Sequence, residues 1–351
     1  MSNIAVLTSG GDSPGMNAAV MSIARNAALY GMPLLGVKRG YNGLLGRSER
    51  PEDDFVRLDL DTVLDIADLP GTYLRTARCN EFLKPEVRAK AAELLKKMDV
   101  SGLVVIGGNG SFMGAHYLCE LGIPCIGIPG TIDNDLAYTE MTLGFDTAVN
   151  NCVDVVRAIR ATSRSHDRPH VVEVMGRNSG NIALATAAAT GAEIVVVPEV
   201  KWSVDGVATA LNRQIAMGNT RATVVVAEGC WQSMKPFDVV DFLRPYGKEM
   251  YDGEPMTAYR FASVLKRKCG MAEVRHTVVG YTQRGASPTA RDSIFAFEAG
   301  AMAVRLLRDG ISNQVIGVKN GRTFYMPIDE ALEKHNHFDK KLFKLINMMD
   351  E

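Results

Sequence analysis

Short apolar runs alternate with longer segments of helical periodicity along most of the chain. Runs at Ile4–Leu7, Leu34–Val37, Leu103–Ile106, Cys125–Ile128, Val171–Val174, Ile194–Val197, Thr223–Ala227 and Thr277–Val279 are strand-sized and rich in β-branched residues. Helix-length segments separate them, among them Met16–Tyr30, Pro85–Met98, Ser111–Leu121 and Phe145–Arg164. This alternation predicts an α/β protein with parallel sheets covered by helices on both faces. A domain boundary is expected near Gly144, where a long helix opens a second α/β series. From Cys230 to Pro255 the period breaks at Trp231, Pro236, Pro245, Gly247, Gly253 and Pro255, which predicts an excursion over the surface.

Composition narrows the function classes. The 351 residues suffice for two domains at about 150 residues each. Basic and acidic residues nearly cancel, 39 against 40, and no basic block or tail is present, so nucleic acid is not an expected partner. The apolar runs are too short to span a membrane, and no basic region precedes a long apolar stretch at the N-terminus. Six scattered cysteines without a CxxC pair predict reduced thiols and a cytoplasmic location. The six histidines lack ligand spacing, so zinc is not implied.

The candidate chemistry sits where strands end. PGTIDND, Pro129–Asp135, places Asp133 and Asp135 on a turn that leaves the Cys125–Ile128 run, at the sheet edge where open α/β folds take their ligands. Two acids so close call for a cation or a hydroxyl-bearing ligand between them. SGGDSPGMN, Ser9–Asn17, joins the first run to a helix, and its Gly10 and Gly11 let a ligand approach the backbone. GGNGS, Gly107–Ser111, repeats that arrangement, with Ser111 expected to cap the helix or reach a phosphate oxygen. Neither loop fits GxGxxG or GxxxxGK[ST]. Arg78, Arg168, Arg177, Arg275 and Arg284 punctuate loops and strand ends, and a guanidinium suits phosphate because it donates paired hydrogen bonds.

LTSGGDSPGMNAA, VVIGGNGS, IPGTIDND, TLGFDTA, VVEVMGR, VVVPE and TQRGASP, in that order, resemble the bacterial-type phosphofructokinase family. The resemblance covers about residues 1–230 and 274–310. It implies two Rossmann-like domains with the active site in the cleft between them, usually in a homotetramer. Residues 1–144 with about 283–312 would form the nucleotide-binding domain. Residues 145–282 with about 313–351 would bind the sugar phosphate, with an insertion near 230–255. The implied reaction is phosphoryl transfer from ATP to the C1 hydroxyl of fructose 6-phosphate, with Mg2+ as cofactor.

By resemblance, Asp133 is the general base, Asp135 tunes charge and the metal's water, and Thr131 holds the reacting centre. Gly11 and Arg78 would contact the transferring group. Gly108, Asn109, Gly110 and Ser111 would hold the nucleotide phosphates, with Cys79 and Arg88 nearby and Arg88 on the adenine side. Asn109 and Asp135 would lie near the metal. Met175, Gly176, Arg177 and Glu228 would line the sugar. Arg284 and Tyr281 would meet the 6-phosphate, together with Arg168 and Arg275 of a neighbouring subunit. Glycine at 110 and 130 implies ATP rather than pyrophosphate as donor.

Several positions depart from the family pattern. Asn109 stands where an aspartate is usual, and the lost charge near a metal is worth on the order of a few kcal/mol at a surface-like dielectric. Tyr281 replaces a histidine and cannot become a cation; Cys79 replaces an aromatic. These departures leave two alternatives: a kinase for a different sugar phosphate, or a weakly active regulatory member. At the implied effector site Arg25, Arg160, Gly191 and Glu193 match. Met21, Leu60, Met217 and Asn219 fall where cations are usual, which predicts a weak response to ADP or phosphoenolpyruvate.

Overall fold

The computed structural model describes residues 2–233, 256–271, 273–335 and 338–349. The chain divides into two compact units, residues 1–148 with 284–337, and residues 149–283 with 338–351.

The first unit is built on a seven-stranded sheet ordered β11-β10-β5-β4-β1-β2-β3. Its strands are β1 (Asn3–Thr8), β2 (Leu34–Val37), β3 (Phe55–Arg57), β4 (Val100–Gly107), β5 (Cys125–Pro129), β10 (Gln314–Lys319) and β11 (Arg322–Pro327). The central strands pair in parallel, with Val6 opposite Val104 and Val105 opposite Gly127. Side chains alternate across this sheet and build a core on each face. Ile4, Val6, Val104, Ile106, Ile126 and Ile128 pack with the helices Met16–Leu29 and Ala290–Arg308. Ala5, Leu7, Leu103, Val105 and Cys125 pack with Pro85–Lys97 and Asn109–Glu120. Strands apolar on both faces are what a buried parallel sheet requires.

The second unit carries a parallel sheet ordered β7-β8-β6-β9, from β6 (His170–Val174), β7 (Ile194–Val196), β8 (Thr223–Ala227) and β9 (Arg275–Val278). The outer edge of β7, an end strand in that order, is bonded by one side chain. Asn347 donates from Nδ2 to the Val195 carbonyl (3.1 Å) and accepts the Val195 N–H on Oδ1 (3.0 Å). Its amide thus does the work of a neighbouring strand at an edge that no other strand pairs among the described residues.

Every strand read from the sequence is present within a few residues, but β3, β10 and β11 were not foreseen. β3 and β11 pair antiparallel at the two sheet edges, outside the repeating strand–helix pattern. β10 also corrects the domain division. Residues 313–337 were expected with the sugar-phosphate domain, yet Gln314 and Val315 pair in parallel with Ile126 and Gly127 of β5, and Val315 and Ile316 are fully buried in the first unit. Of the excursion read at 230–255, residues from 234 onward lie outside the described part, and Gly229–Ser233 form a short helix.

Candidate active site

Three loops leave adjacent strands at one edge of the first sheet, after β1, β4 and β5, and hydrogen bonds join them. Ser111 Oγ donates to Ser9 Oγ (2.9 Å), linking the second loop to the first. The Gly130 N–H donates to the Gly107 carbonyl (2.9 Å), linking the third to the second. Ser111 therefore does not cap its helix: the helix begins at Asn109 with Gly108 at the cap, and the Ser111 hydroxyl spans to the neighbouring loop. Gly107 is dictated by that closeness, since a Cβ there would lie 2.5 Å from Ser111 Oγ. At Gly108 and Gly110 an added Cβ would meet nothing within 4 Å, so both backbones face open space.

Gly130 is confined instead. A Cβ there would lie 2.9 Å from both Ile106 Cγ2 and Met16 Cε, so a long side chain at 130 needs a repacked core. Beyond it, the Asp133 N–H donates to Thr131 Oγ1 (3.2 Å), Asn134 takes the left-handed conformation (φ 48°), and Thr142 Oγ1 donates to the Thr131 carbonyl (2.6 Å). Asp133 and Asp135 are half-buried on this turn. Arg284 reaches the first loop: Nη1 donates to the Asp12 carbonyl (2.6 Å) and lies 3.0 Å from where a Cβ on Gly11 would stand. Glycine at 11 is what lets the guanidinium come so close.

The remaining first-unit candidates flank these loops. Arg78 is exposed. The Cys79 thiol beside it is half-buried, and burial pushes its pKa up. Arg88 stacks over the Tyr117 ring at 3.8 Å and donates to the Leu83 carbonyl (3.3 Å). The sequence reading missed Tyr41. This buried residue stacks on Phe82 at 4.2 Å and donates its hydroxyl to the Ser111 carbonyl (2.5 Å), propping the second loop from below. The signal was weak, a lone Tyr after a glycine.

In the second unit the candidates fall into two groups at opposite ends of the strands. Met175, Gly176 and Arg177 follow β6, and Glu228 follows β8, at the carboxyl edge. Glu228 Oε1 accepts the Arg177 N–H (2.8 Å), and the Glu228 N–H donates to the Val174 carbonyl (2.9 Å). Gly176 has φ 137°, and a Cβ there would lie 2.3 Å from the Ser179 carbonyl oxygen, so only glycine suits the turn. Gln283, fully buried and also missed, accepts the Met175 N–H on Oε1 (3.2 Å) and the Cys152 thiol (2.9 Å). It thereby holds the turn carrying Tyr281, which is 81% exposed.

Arg168 and Arg275 lie at the other end, where His170 of β6 pairs with Arg275 of β9. With Thr162, Ser163, His166 and His170 they line a cavity of about 270 Å³. Glu273, absent from the sequence reading, pairs with both arginines, bonding Arg168 Nη1 and lying 2.5 Å from Arg275 Nε. His170 is nearly buried with Nε2 2.8 Å from Thr277 Oγ1, and burial brings its pKa down to about 4, opposed by a hydrogen bond to the His276 backbone and aided by the charges of His276 and Arg275.

At the implied effector positions, Arg160 makes a paired bridge to Glu193 (3.0 and 3.1 Å), which also accepts from Asn219 Nδ2 (3.1 Å) and the Thr223 N–H (2.8 Å). Burial alone would raise the Glu193 carboxyl, but these donors hold its pKa below the ordinary value. Arg25 lies over the Phe297 ring at 5.6 Å. Among the described residues no three or more His, Cys, Asp and Glu side chains cluster as a metal site, and no helix is long and apolar enough to cross a membrane.

Bare backbone amides on joined glycine loops, with carboxylates and a guanidinium alongside, define an α/β protein built to handle phosphorylated ligands. Residues 3–307 match the family model described as Phosphofructokinase. Over its whole length the chain is 43% identical to the full-length "ATP-dependent 6-phosphofructokinase 1" of Clostridium perfringens. It is 44% identical, over 99% of both chains, to the "ATP-dependent 6-phosphofructokinase" of Clostridioides difficile. The chain belongs to the phosphofructokinase family. Among solved structures, phosphofructokinase from Saccharomyces cerevisiae superposes with a TM-score of 0.80 at 30% identity, over 95% of this chain and 45% of the yeast chain. A pyrophosphate-dependent phosphofructokinase from Marinobacter aquaeolei, at 18% identity and a TM-score of 0.80, shares the fold.

Proposed function

We propose that the protein is an ATP-dependent 6-phosphofructokinase that transfers the terminal phosphoryl group of ATP to the C1 hydroxyl of fructose 6-phosphate, giving fructose 1,6-bisphosphate and ADP. The observation that carries this reading is the hydrogen-bonded set of loops after β1, β4 and β5, which keeps bare amides and the Asp133 carboxylate on one sheet edge. Phosphoryl transfer asks a protein mainly for positioning and charge neutralisation, and this edge supplies both.

Asp133 takes the proton of the C1 hydroxyl, and Thr131, its Oγ1 already engaged with the Asp133 N–H, fixes the reacting end of the loop. The open backbones at Gly108 and Gly110 receive the nucleotide phosphates with Ser111 beside them. Gly11 and Arg78 contact the transferred group, the guanidinium neutralising its charge, and Arg284 grips the sugar phosphate. Cys79 and Arg88 flank the nucleotide. Met175, Gly176, Arg177 and Glu228 line the sugar, and Tyr281 offers one hydroxyl to its phosphate. The room at Gly110 supports ATP as donor, because a side chain there would crowd the nucleotide.

Oxygen donors at Asn109 and Asp135 suit a hard cation such as Mg2+. With no larger carboxylate cluster among the described residues, the nucleotide's own oxygens would supply most of its ligands. When bound, the cation neutralises charge on the phosphates. Asn109 is exposed at its helix start, so solvent offsets part of the missing aspartate charge.

Arg168 and Arg275 stand at the opposite strand ends from Met175 and Glu228, and the five-residue β6 between them is roughly 13–16 Å long. One sugar phosphate cannot engage both groups of a single chain, which supports a neighbouring subunit as the source of the two arginines, in a homotetramer. A cytoplasmic location accords with a soluble sugar-phosphate substrate. Product analysis with ATP and pyrophosphate side by side tests the reading. Fructose 1,6-bisphosphate forming with ADP is the expected result, and turnover with pyrophosphate alone overturns the donor assignment.

A further inference from the structure

A carboxylate outside the three loops anchors the segment that bonds to two of them. Asp292, in the first turn of the helix Ala290–Arg308, is fully buried. Its Oδ1 accepts the Gly144 N–H (2.9 Å), and its Oδ2 accepts both the N–H (2.8 Å) and the hydroxyl (2.5 Å) of Thr147. These donors open the 22-residue helix Phe145–His166, whose N-terminal dipole favours a negative charge there. Burial raises the Asp292 pKa and Asp146 adds to the rise, while Thr147 and the backbone N–H groups counter it.

The segment held by Asp292 is a junction. On one side, Ser13 of the first loop donates its hydroxyl to the Leu143 carbonyl, and Gly144 (φ 92°) is packed so closely that a Cβ would lie 2.0 Å from Ser13 Oγ. On the other, the Leu143 N–H donates to the Pro129 carbonyl (2.8 Å), and Thr142 Oγ1 donates to the Thr131 carbonyl (2.6 Å) and to Asn134 Oδ1 (3.2 Å). The register between the Gly10–Gly11 loop and the Asp133 loop therefore runs through Thr142–Thr147.

We propose that Asp292 is a positioning residue for phosphoryl transfer, fixing through Gly144 and Thr147 the spacing between the phosphate loop and the loop that carries Asp133. The role rests on the kinase reading above. It makes no contact with substrate, so its removal affects alignment at the moment of transfer more than binding. Asp292→Asn is the direct test. An amide accepts on one side only, so an NH2 faces an N–H donor and one arm of the junction is lost. A misplacement of about 1 Å can cost up to about 100-fold in rate.

The experiment measures steady-state kinetics of native chain, Asp292→Asn and Thr147→Val with ATP and fructose 6-phosphate, each rate normalised to folded protein by its nucleotide-binding stoichiometry. The expected result is a kcat about 10- to 100-fold lower for Asp292→Asn, with KM for both substrates within about threefold of native. Thr147→Val, which removes only the hydroxyl arm and serves if Asp292→Asn does not fold, should show a smaller fall of the same kind. A kcat per folded molecule within twofold of native in whichever variants fold overturns the role, as does a loss expressed wholly in KM. If neither variant folds, Asp292 and Thr147 serve stability alone and the role is overturned. An inactive native chain overturns the kinase reading itself, a distinct outcome.

Discussion

The two units hold their candidate residues in opposite ways. In the first, three loops leave neighbouring parallel strands and are bonded to one another, so Gly11, Gly108–Ser111 and Asp133 share one edge within a single chain. In the second, the strands separate the candidates: Met175–Arg177 and Glu228 at one end, Arg168 and Arg275 at the other. The first arrangement lies within one chain, whereas on the proposed reading the second calls for another copy to supply the far arginines. Hydrogen bonds that join loops to one another restrain them, which suits the phosphoryl-transfer role proposed for these loops. The arginine pair, by contrast, is already engaged by Glu273, a partner it would exchange for a phosphate on the proposed reading.

The comparison breaks most directly at Asp133. Asp133→Ala should lower kcat by about 100- to 10,000-fold while leaving the sugar-phosphate KM comparatively unchanged, measured by ATP-coupled product formation. An active Asp133→Ala enzyme removes the first region from the chemistry.

Arg168→Ala or Arg275→Ala should act in the other coordinate, raising that KM by about 10- to 100-fold through loss of a charge-assisted contact. Co-refolding Asp133→Ala with Arg168→Ala chains sharpens the contrast. Hybrid oligomers should regain part of the native rate, since some sites then combine an intact Asp133 with an intact Arg168 from another chain. No recovery would mean that each chain completes its own site.

Asn109→Asp should change the rate by a smaller factor, a several-fold rise in kcat or a lower Mg2+ requirement, read from magnesium titrations. A rate insensitive to this substitution places the metal's ligands elsewhere.

A pH effect separates the regions through stability. His170 binds its proton only near pH 4 when folded, against about 6.5 when unfolded. Between those values the unfolded chain holds more protons, so acidification from pH 7 to pH 5 destabilises the fold. The contribution is a fraction of the ~1.4 kcal/mol per pH unit that one full proton gives. Denaturant melts of His170→Asn should show a flatter pH dependence than native over that window.

The smallest expected effect is a near absence. Glu193 is saturated by Arg160, Asn219 and Thr223, and Met21, Leu60 and Met217 bring no charge, so phosphoenolpyruvate should shift the sugar-phosphate saturation curve little. Strong cooperative inhibition would contradict this.

Glycine-rich turns after apolar runs were legible because they are local: Gly10–Gly11 and Gly107–Gly110 show in the sequence as the only way to bare the backbone between a strand and a helix. So were the Asp133 turn and the alternation that predicts the parallel sheets. Tyr41, Gln283, Glu273 and Asp292 were not legible, because each works through a partner 70 to 148 positions away, Arg168 in the case of Glu273. Residues 314–327 look like any β-rich tail until their pairing with β5 decides which sheet they extend.

The sequence by itself determined which backbone stretches can fold as strands or helices and which loops can accept an anion, since propensity, periodicity and glycine placement act over a few neighbouring residues. Only the tertiary structure decided which of those loops meet, which arginines are held apart by a strand's length, and which buried carboxylate anchors the segment between Thr142 and Thr147. Those outcomes depend on contacts between distant segments, and such contacts form only once the sheet order is fixed.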